Sequence, residues 1–166
     1  LFPVSVNLSR QHFDDPEVLL KFKDIADRYE IPAGLLELEL TESIFFDDKG
    51  IEQVKNQIGE MHRLGFRCSL DDFGAGYSSL GLLMEFDVDA IKLDRRFFLH
   101  VDRPKTKDVV KSIVDLAQKI DAQVVAEGIE TEEQLRFLQE VGCELVQGYI
   151  YSKPLPIHSF EQDWLQ

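Results

Sequence analysis

Short apolar runs alternate with amphipathic stretches along the chain. The apolar runs are rich in strand-forming residues, a pattern typical of buried β-strands. The stretches between them repeat apolar residues every three or four positions, which is the spacing of one face of an α-helix. Strands that alternate with helices predict a parallel sheet and an α/β fold. The predicted strands are residues 4–8, 36–41, 66–71, 88–93, 123–126 and 145–149.

Signals at the ends of the amphipathic stretches support the predicted helices. Pro16 suits a first helical turn, and Gly65 suits the residue that follows a helix. Thr131, with Gln134 three positions later, forms a capping box at the start of a helix. The predicted helices are residues 16–29, 51–64, 106–120 and 131–141, with a shorter helix after Ser78.

Length, composition and charge are typical of one globular domain over residues 1–166. The chain has 166 residues, of which 44% are hydrophobic and 30% charged. The net charge of −13 argues against binding to a nucleic-acid polymer or an anionic membrane, because both need a basic face. No apolar run approaches the ~20 residues of a membrane span, so we expect no direct membrane insertion and a cytoplasmic location. Cys68 and Cys143 lie in or beside apolar strands, which favours buried free thiols over a disulfide.

The segment DDFGAGYSSL, residues 71–80, carries two adjacent carboxylates at the end of an apolar strand. Side chains of adjacent strand residues point to opposite faces, so Asp71 and Asp72 converge only if the strand ends there. Paired carboxylates repel each other and are costly to bury, and a divalent cation would remove both problems. The alternative is a plain turn that caps the next helix. These ten residues alone leave both interpretations open.

Polar side chains recur at the carboxyl end of every predicted strand, and most of them are carboxylates. Active sites of parallel α/β barrels are built at that end. Carboxylate and amide oxygens suit one or two Mg²⁺ or Mn²⁺ ions, and two such ions can clamp the attacking and leaving oxygens of a phosphoryl displacement. The pattern therefore favours a metal-assisted site over ordinary solvated strand ends. The residues concerned are Asn7, Glu39, Glu42, Asp71, Asp72, Lys92, Asp94, Glu127, Glu130 and Gln147.

Nucleophilic catalysis by a side chain is less favoured. Neither cysteine has a basic partner nearby in sequence, and Ser78 and Ser79 suit turn or capping roles. The four histidines show no metal-ligand spacing, and we interpret them as surface residues. A carboxylate near a metal-bound water can take its proton, and Lys92 can offset the negative charge.

Six motifs, taken in order, resemble those of the EAL-domain cyclic-di-GMP phosphodiesterases of bacterial second-messenger signalling. The resemblance implies a TIM-like (β/α)₈ barrel with one antiparallel strand, represented here by about six βα units. It also implies hydrolysis of one phosphodiester of cyclic-di-GMP to linear pGpG with Mg²⁺ or Mn²⁺, in a two-metal site. The motifs are VNLS at 6–9, ELTES at 39–43, DDFGAGYSSL at 71–80, KLD at 92–94, AEGIET at 126–131 and QGY at 147–149.

The resemblance also implies a role for each matched site residue. The implied metal ligands are Asn7, Glu39, Asp71 and Asp72, with Asp71 bridging two ions. Lys92 would hold the nucleophilic water and Glu127 would be the general base. Gln147, Glu42 and Glu130 would support the substrate or the loop after DDFG. That loop is similar to a dimerisation element of the family, so a homodimer is expected.

This chain departs from the family in one respect: it contains no Glu-Ala-Leu triplet, the motif for which the family is named. We interpret residues 1–166 as the C-terminal portion of an EAL domain that lacks its N-terminal strands, in a larger protein that is cytoplasmic or membrane-attached. Strands supplied by a neighbouring chain are the alternative. The missing glutamate keeps open a catalytically silent module that binds cyclic-di-GMP or a protein. A proton-abstracting barrel enzyme with Lys92 as its base is a third hypothesis.

Overall fold

A computed structural model describes residues 3–13, 15–41, 44, 51–74 and 79–165 of the chain. Glu42 and residues 75–78 lie outside the described residues. The implied role of Glu42 and the greater part of the loop after DDFG therefore stay predictions.

Six strands form one sheet in which each strand pairs in parallel with the next along the chain. The sheet curls into a half-barrel with helices on its outer side, as the α/β, TIM-like prediction requires. The antiparallel strand implied by the resemblance is not among these six. The strands are β1 (Val4–Leu8), β2 (Leu36–Thr41), β3 (Arg67–Phe73), β4 (Ala90–Leu93), β5 (Gln123–Glu127) and β6 (Leu145–Gln147).

The helices match the amphipathic stretches to within about two residues at most ends. The capping box at Thr131 is present, with Gln134 as its third helical residue. Among the described residues, sequence periodicity missed three short elements: the helices at Arg10–Phe13 and Ile157–Trp164 and a 3₁₀ turn at Arg95–Phe98. The helices are α1 (Arg10–Phe13), α2 (Val18–Arg28), α3 (Ile51–Arg63), α4 (Ser79–Glu85), α5 (Pro104–Lys119), α6 (Glu132–Glu140) and α7 (Ile157–Trp164).

Strand β3 runs two residues further than its hydrophobic pattern predicts. Its pairing with β4 shifts between Leu70 and Phe73, which is a bulge-like irregularity. Asp72 lies at the irregularity with a φ of +55°, a conformation that aspartate tolerates better than most residues. The two adjacent carboxylates therefore lie within an irregular strand end, not after it.

The hydrophobic core lies between the sheet and the helices, and the other face of the sheet is polar. The side chains of Leu38 and Leu40 on β2 and of Cys68 and Leu70 on β3 alternate with polar residues and are fully buried. Lys92 is buried on the opposite face. Cys68 and Cys143 are buried free thiols, as the sequence predicts. Within the described ranges, no helix is long and apolar enough to span a membrane.

Candidate functional site

Three carboxylates surround a buried lysine at the carboxyl ends of the strands. Lys92 Nζ lies 2.6 Å from Glu39 Oε1 and 2.7 Å from Glu127 Oε1, and it is 3.7 Å from Asp71 Oδ1. These residues come from β4, β2, β5 and β3, so four neighbouring strands contribute one group each. The structure thus brings together four of the nine residues to which the resemblance gives a role, in a cluster that we call the Lys92 cluster.

The Lys92 cluster is shielded from solvent. The side chains of Lys92 and Glu39 are each 5% exposed, Asp71 is 13% exposed and Glu127 is 19% exposed. Burial alone would lower the pKa of Lys92, but its hydrogen bonds to Glu127 and Glu39 outweigh burial and raise the pKa above the ordinary value. Lys92 therefore stays charged and neutralises part of the carboxylate charge.

Two carboxylates of the cluster have pKa values above those of free carboxylates in water. Burial raises the pKa of Glu127 above its ordinary value, although the hydrogen bond from Lys92 acts in the opposite direction. Burial likewise raises the pKa of Asp71, against the attraction of Lys92 and the backbone N–H of Asp72. A carboxylate with a raised pKa is a better proton acceptor near neutral pH.

The strand register places two further predicted residues level with this cluster. Asn7 on β1 pairs with Glu39 on β2, and Gln147 on β6 pairs with Glu127 on β5. Both side chains are exposed. They lie on the two outermost strands of the sheet, so they flank the Lys92 cluster at the same height.

Asp72 and Glu130 do not join the Lys92 cluster directly. The side chain of Asp72 is exposed, and its backbone N–H donates to Asp71 Oδ1 at 2.9 Å. Glu130 is exposed after β5, where its backbone N–H donates to Gln134 Oε1. Glu42, the ninth predicted residue, lies outside the described residues.

The donor set fits a hard divalent cation. Glu39, Asp71 and Asn7 offer only oxygen ligands on adjoining strands, and such ligands suit Mg²⁺ and Mn²⁺ better than softer metals. Ser69 lies between Glu39 and Ala90 in the register, and its buried hydroxyl has no hydrogen-bond partner among the described residues. Within the part of the chain that the structure describes, no three acidic, His or Cys groups are arranged as a metal-binding cluster. The carboxylates of Glu39, Asp71 and Glu127 are instead held together by the Lys92 ammonium.

Sequence reasoning missed a second polar layer at the other end of the strands. Arg67 Nη2 donates to Gln123 Oε1 at 2.5 Å, and Arg67 Nε lies 3.7 Å from Glu37 Oε2. The strand period could have revealed this layer, because Glu37 precedes Glu39 by two positions and therefore shares its face. The open side of the half-barrel forms a trough of about 1040 Å³ whose lining includes both Glu37 and Glu127.

Comparison with known proteins identifies the family to which this half-barrel belongs. The family model of the EAL domain matches residues 1–154. The chain therefore belongs to the EAL domain family, a phosphodiesterase family of cyclic-di-GMP signalling.

Two curated relatives are named as cyclic di-GMP phosphodiesterases. The cyclic di-GMP phosphodiesterase NbdA of Pseudomonas aeruginosa is 37% identical over 160 residues, which are 96% of this chain and 20% of the relative. The cyclic di-GMP phosphodiesterase PdeR of Escherichia coli is 35% identical over 160 residues, which are 96% of this chain and 24% of the relative. The chain thus spans only about a quarter or less of the length of these relatives.

Solved structures show the same fold. The EAL domain of Mycobacterium smegmatis DcpA matches with a TM-score of 0.90 at 32% identity, over 96% of this chain and 71% of that one. The manganese and cyclic-di-GMP complex of Klebsiella pneumoniae BlrP1 matches with a TM-score of 0.84 at 29% identity, over 92% of this chain and 39% of that one. These matches confirm the TIM-like fold class.

Proposed function

We propose that the full-length protein containing this chain is a metal-dependent phosphodiesterase that hydrolyses cyclic-di-GMP to linear pGpG. The observation that carries the proposal is the Lys92 cluster, in which Lys92 Nζ contacts both Glu39 and Glu127 at hydrogen-bond distance. The cluster supplies a cation, a candidate base and oxygen ligands in one buried place at the expected end of the strands.

The proposed metal ligands are Asn7, Glu39, Asp71 and Asp72, which would hold Mg²⁺ or Mn²⁺ in a two-metal site with Asp71 as the shared ligand. When bound, such ions lower the pKa of water and stabilise charge on the phosphoryl oxygens. One of the similar solved structures, that of BlrP1, is a manganese and cyclic-di-GMP complex, which supports this choice of ions.

The chain's own residues then perform the proton transfer and the positioning. Glu127 accepts a proton from the attacking water, as its buried position and raised pKa favour. Lys92, which donates to Glu127 and Glu39, orients the water and offsets the charge that develops. One P–O bond forms to the water oxygen, one ester P–O bond breaks, and the leaving ribose oxygen takes a proton. Gln147, Glu42 and Glu130 are proposed to support the substrate or the neighbouring loop.

Turnover by the full-length protein tests this function. The purified protein is incubated with cyclic-di-GMP and Mg²⁺ or Mn²⁺, and pGpG is quantified by chromatography before and after chelation of the metal. We expect metal-dependent formation of pGpG. Correctly folded protein that forms no pGpG with either ion would overturn the proposal.

The second candidate is a silent module that binds cyclic-di-GMP without hydrolysing it. It is favoured by the Glu39–Lys92 contact, because a ligand engaged by an ammonium group is less available to a metal. Calorimetric binding of cyclic-di-GMP by the same preparation, with no pGpG formed, would identify this module. The homodimer expected through the loop after DDFG is a separate proposal, tested by light scattering of the full-length protein.

A further inference from the structure

A 3₁₀ turn lies against the glycine that follows the strand of the paired aspartates and the glycine that follows the proposed base. The turn Arg95–Phe98 follows β4 directly, and Asp94 caps it by accepting a hydrogen bond from the Arg96 N–H at 2.9 Å. It therefore begins three residues after Lys92. The turn is thus connected to the end of β4 through Leu93 and Asp94.

The turn packs against a glycine on each side. A Cβ placed on Gly74, which follows the strand of Asp71 and Asp72, would overlap the Phe97 ring. A Cβ placed on Gly128, which follows Glu127, would overlap Arg95 Cβ. Both glycines have positive φ values, 87° and 66°, so their close approach to the turn is built into the backbone.

A single carboxamide ties this turn to the loop after β5. Gln134 Nε2 donates to the Phe98 carbonyl oxygen at 2.9 Å. Its Oε1 accepts from the backbone N–H groups of Glu130 at 2.9 Å and Thr131 at 3.1 Å. One side chain thus holds three backbone groups that belong to the turn after Lys92 and the loop after Glu127.

The capping box accounts for only one of these three contacts, the one with the Thr131 N–H. A capping box needs an acceptor at the third helical position, which Gln134 Oε1 provides. The bond from Nε2 to Phe98 adds nothing to the cap of α6, because Phe98 lies outside that helix. Phe98 is only 1% exposed, so an unmet carbonyl there would be costly.

We infer that Gln134 is a positioning residue that holds Glu127 in register with Lys92 through the 3₁₀ turn. This inference rests on the proposed function, since it gives Gln134 a purpose in the same reaction. Gln134 does not contact the reacting groups. It acts through Phe98 on one side and through Glu130 and Thr131 on the other.

Substitution Gln134→Glu separates the two roles of this side chain. Glutamate keeps the oxygen acceptor of the capping box, so α6 retains its start. It removes the amide donor and sets a carboxylate against the Phe98 carbonyl. Gln139→Glu is the matched control, because Gln139 is exposed on the same helix and the change adds the same charge.

The kinetic test compares both variants with the unchanged full-length protein in cyclic-di-GMP hydrolysis. Gln134→Glu is expected to lower kcat about tenfold while KM stays within about twofold, because a displaced base slows the chemical step more than binding. Gln139→Glu is expected to keep both constants. Equal kcat for the two variants would overturn the inference.

Hydrogen exchange separates failure of the inference from failure of the proposed function. If the unchanged protein forms no pGpG, the proposed function fails and the positioning role is judged on exchange alone. Gln134→Glu is then expected to speed amide exchange in the peptide that contains Arg96 and Phe97, and Gln139→Glu is not. Identical exchange in the two variants would overturn the positioning role whatever the activity.

Discussion

Lys92 Nζ donates a hydrogen bond of 2.6 Å to Glu39 Oε1 across an intervening strand. Lys92 lies on β4 and Glu39 on β2, with β3 between them. On the intervening strand, the residue paired with Glu39 is Ser69, which is small and fully buried. The long lysine side chain reaches the carboxylate across the width of β3, and this pairing organises the candidate site.

Removal of the Lys92 charge is expected to destabilise the domain. Lys92→Met keeps the volume of the side chain but leaves Glu39, Asp71 and Glu127 together without their cation. Breaking a buried ion pair by removing one partner costs about 3 kcal/mol or more. The measurement is urea-dependent hydrogen exchange of the peptides from β2 to β5 in the full-length protein.

Lys111→Met, at an exposed position of α5, is the control for this loss. Added Mn²⁺ is expected to restore part of the stability of Lys92→Met, because bound cation stabilises the folded state. Unfolding of Lys92→Met and Lys111→Met at the same urea concentration would show that the Lys92 charge does not stabilise the fold by offsetting the charge of the carboxylates.

Substitution of the two adjacent aspartates is expected to affect stability differently but to affect the metal requirement in the same way. Asp71→Asn and Asp72→Asn should each raise the Mn²⁺ concentration needed for half-maximal hydrolysis, by about tenfold or more, since each would remove a charged ligand. Of the two aspartates, only Asp71 is largely buried beside Lys92, so only Asp71→Asn should also change stability. Asp115→Asn, exposed on α5, is the matched control. An unchanged Mn²⁺ requirement in Asp72→Asn would remove Asp72 from the ligand set.

The rate of hydrolysis is expected to fall with decreasing pH, with a midpoint above the ordinary pKa of a glutamate side chain. Burial raises the pKa of Glu127 above 4.5, and the base works only when it is deprotonated. The rate therefore rises with pH through the raised pKa and is lost as the pH falls through it. The measurement is kcat for cyclic-di-GMP as a function of pH at saturating Mg²⁺. A rate that stays constant down to pH 4.5 would contradict a buried base.

Much of the fold follows from the sequence because its signals are local. The alternation of strands and helices and the capping box at Thr131 depend on residues close together in the chain. The 3₁₀ turn at Arg95–Phe98 is too short for a periodic pattern, and α7 has no buried residue to mark its face. The two extra residues of β3 depend on pairing with β4, which no local pattern reports.

The site could be predicted as a set of residues but not as a set of contacts. Parallel strands place their carboxyl ends at one edge, so Glu39, Lys92 and Glu127 were expected near each other. That Lys92 would reach across β3 to Glu39 depends on the register between three strands. The exposure of Asp72 depends on the irregular end of β3, where the backbone turns to positive φ. Register and strand irregularity are properties of the assembled sheet.

The most direct measurement compares hydrolysis and binding of cyclic-di-GMP by the full-length protein and its Glu127→Gln variant. Glutamine keeps an oxygen that can accept the Lys92 hydrogen bond but cannot take a proton. Glu133→Gln, exposed on α6, is the control. The account predicts that kcat falls by about a hundredfold or more in Glu127→Gln while the dissociation constant stays within about threefold. Hydrolysis at an unchanged rate in Glu127→Gln, or no hydrolysis by the unchanged protein, would contradict it.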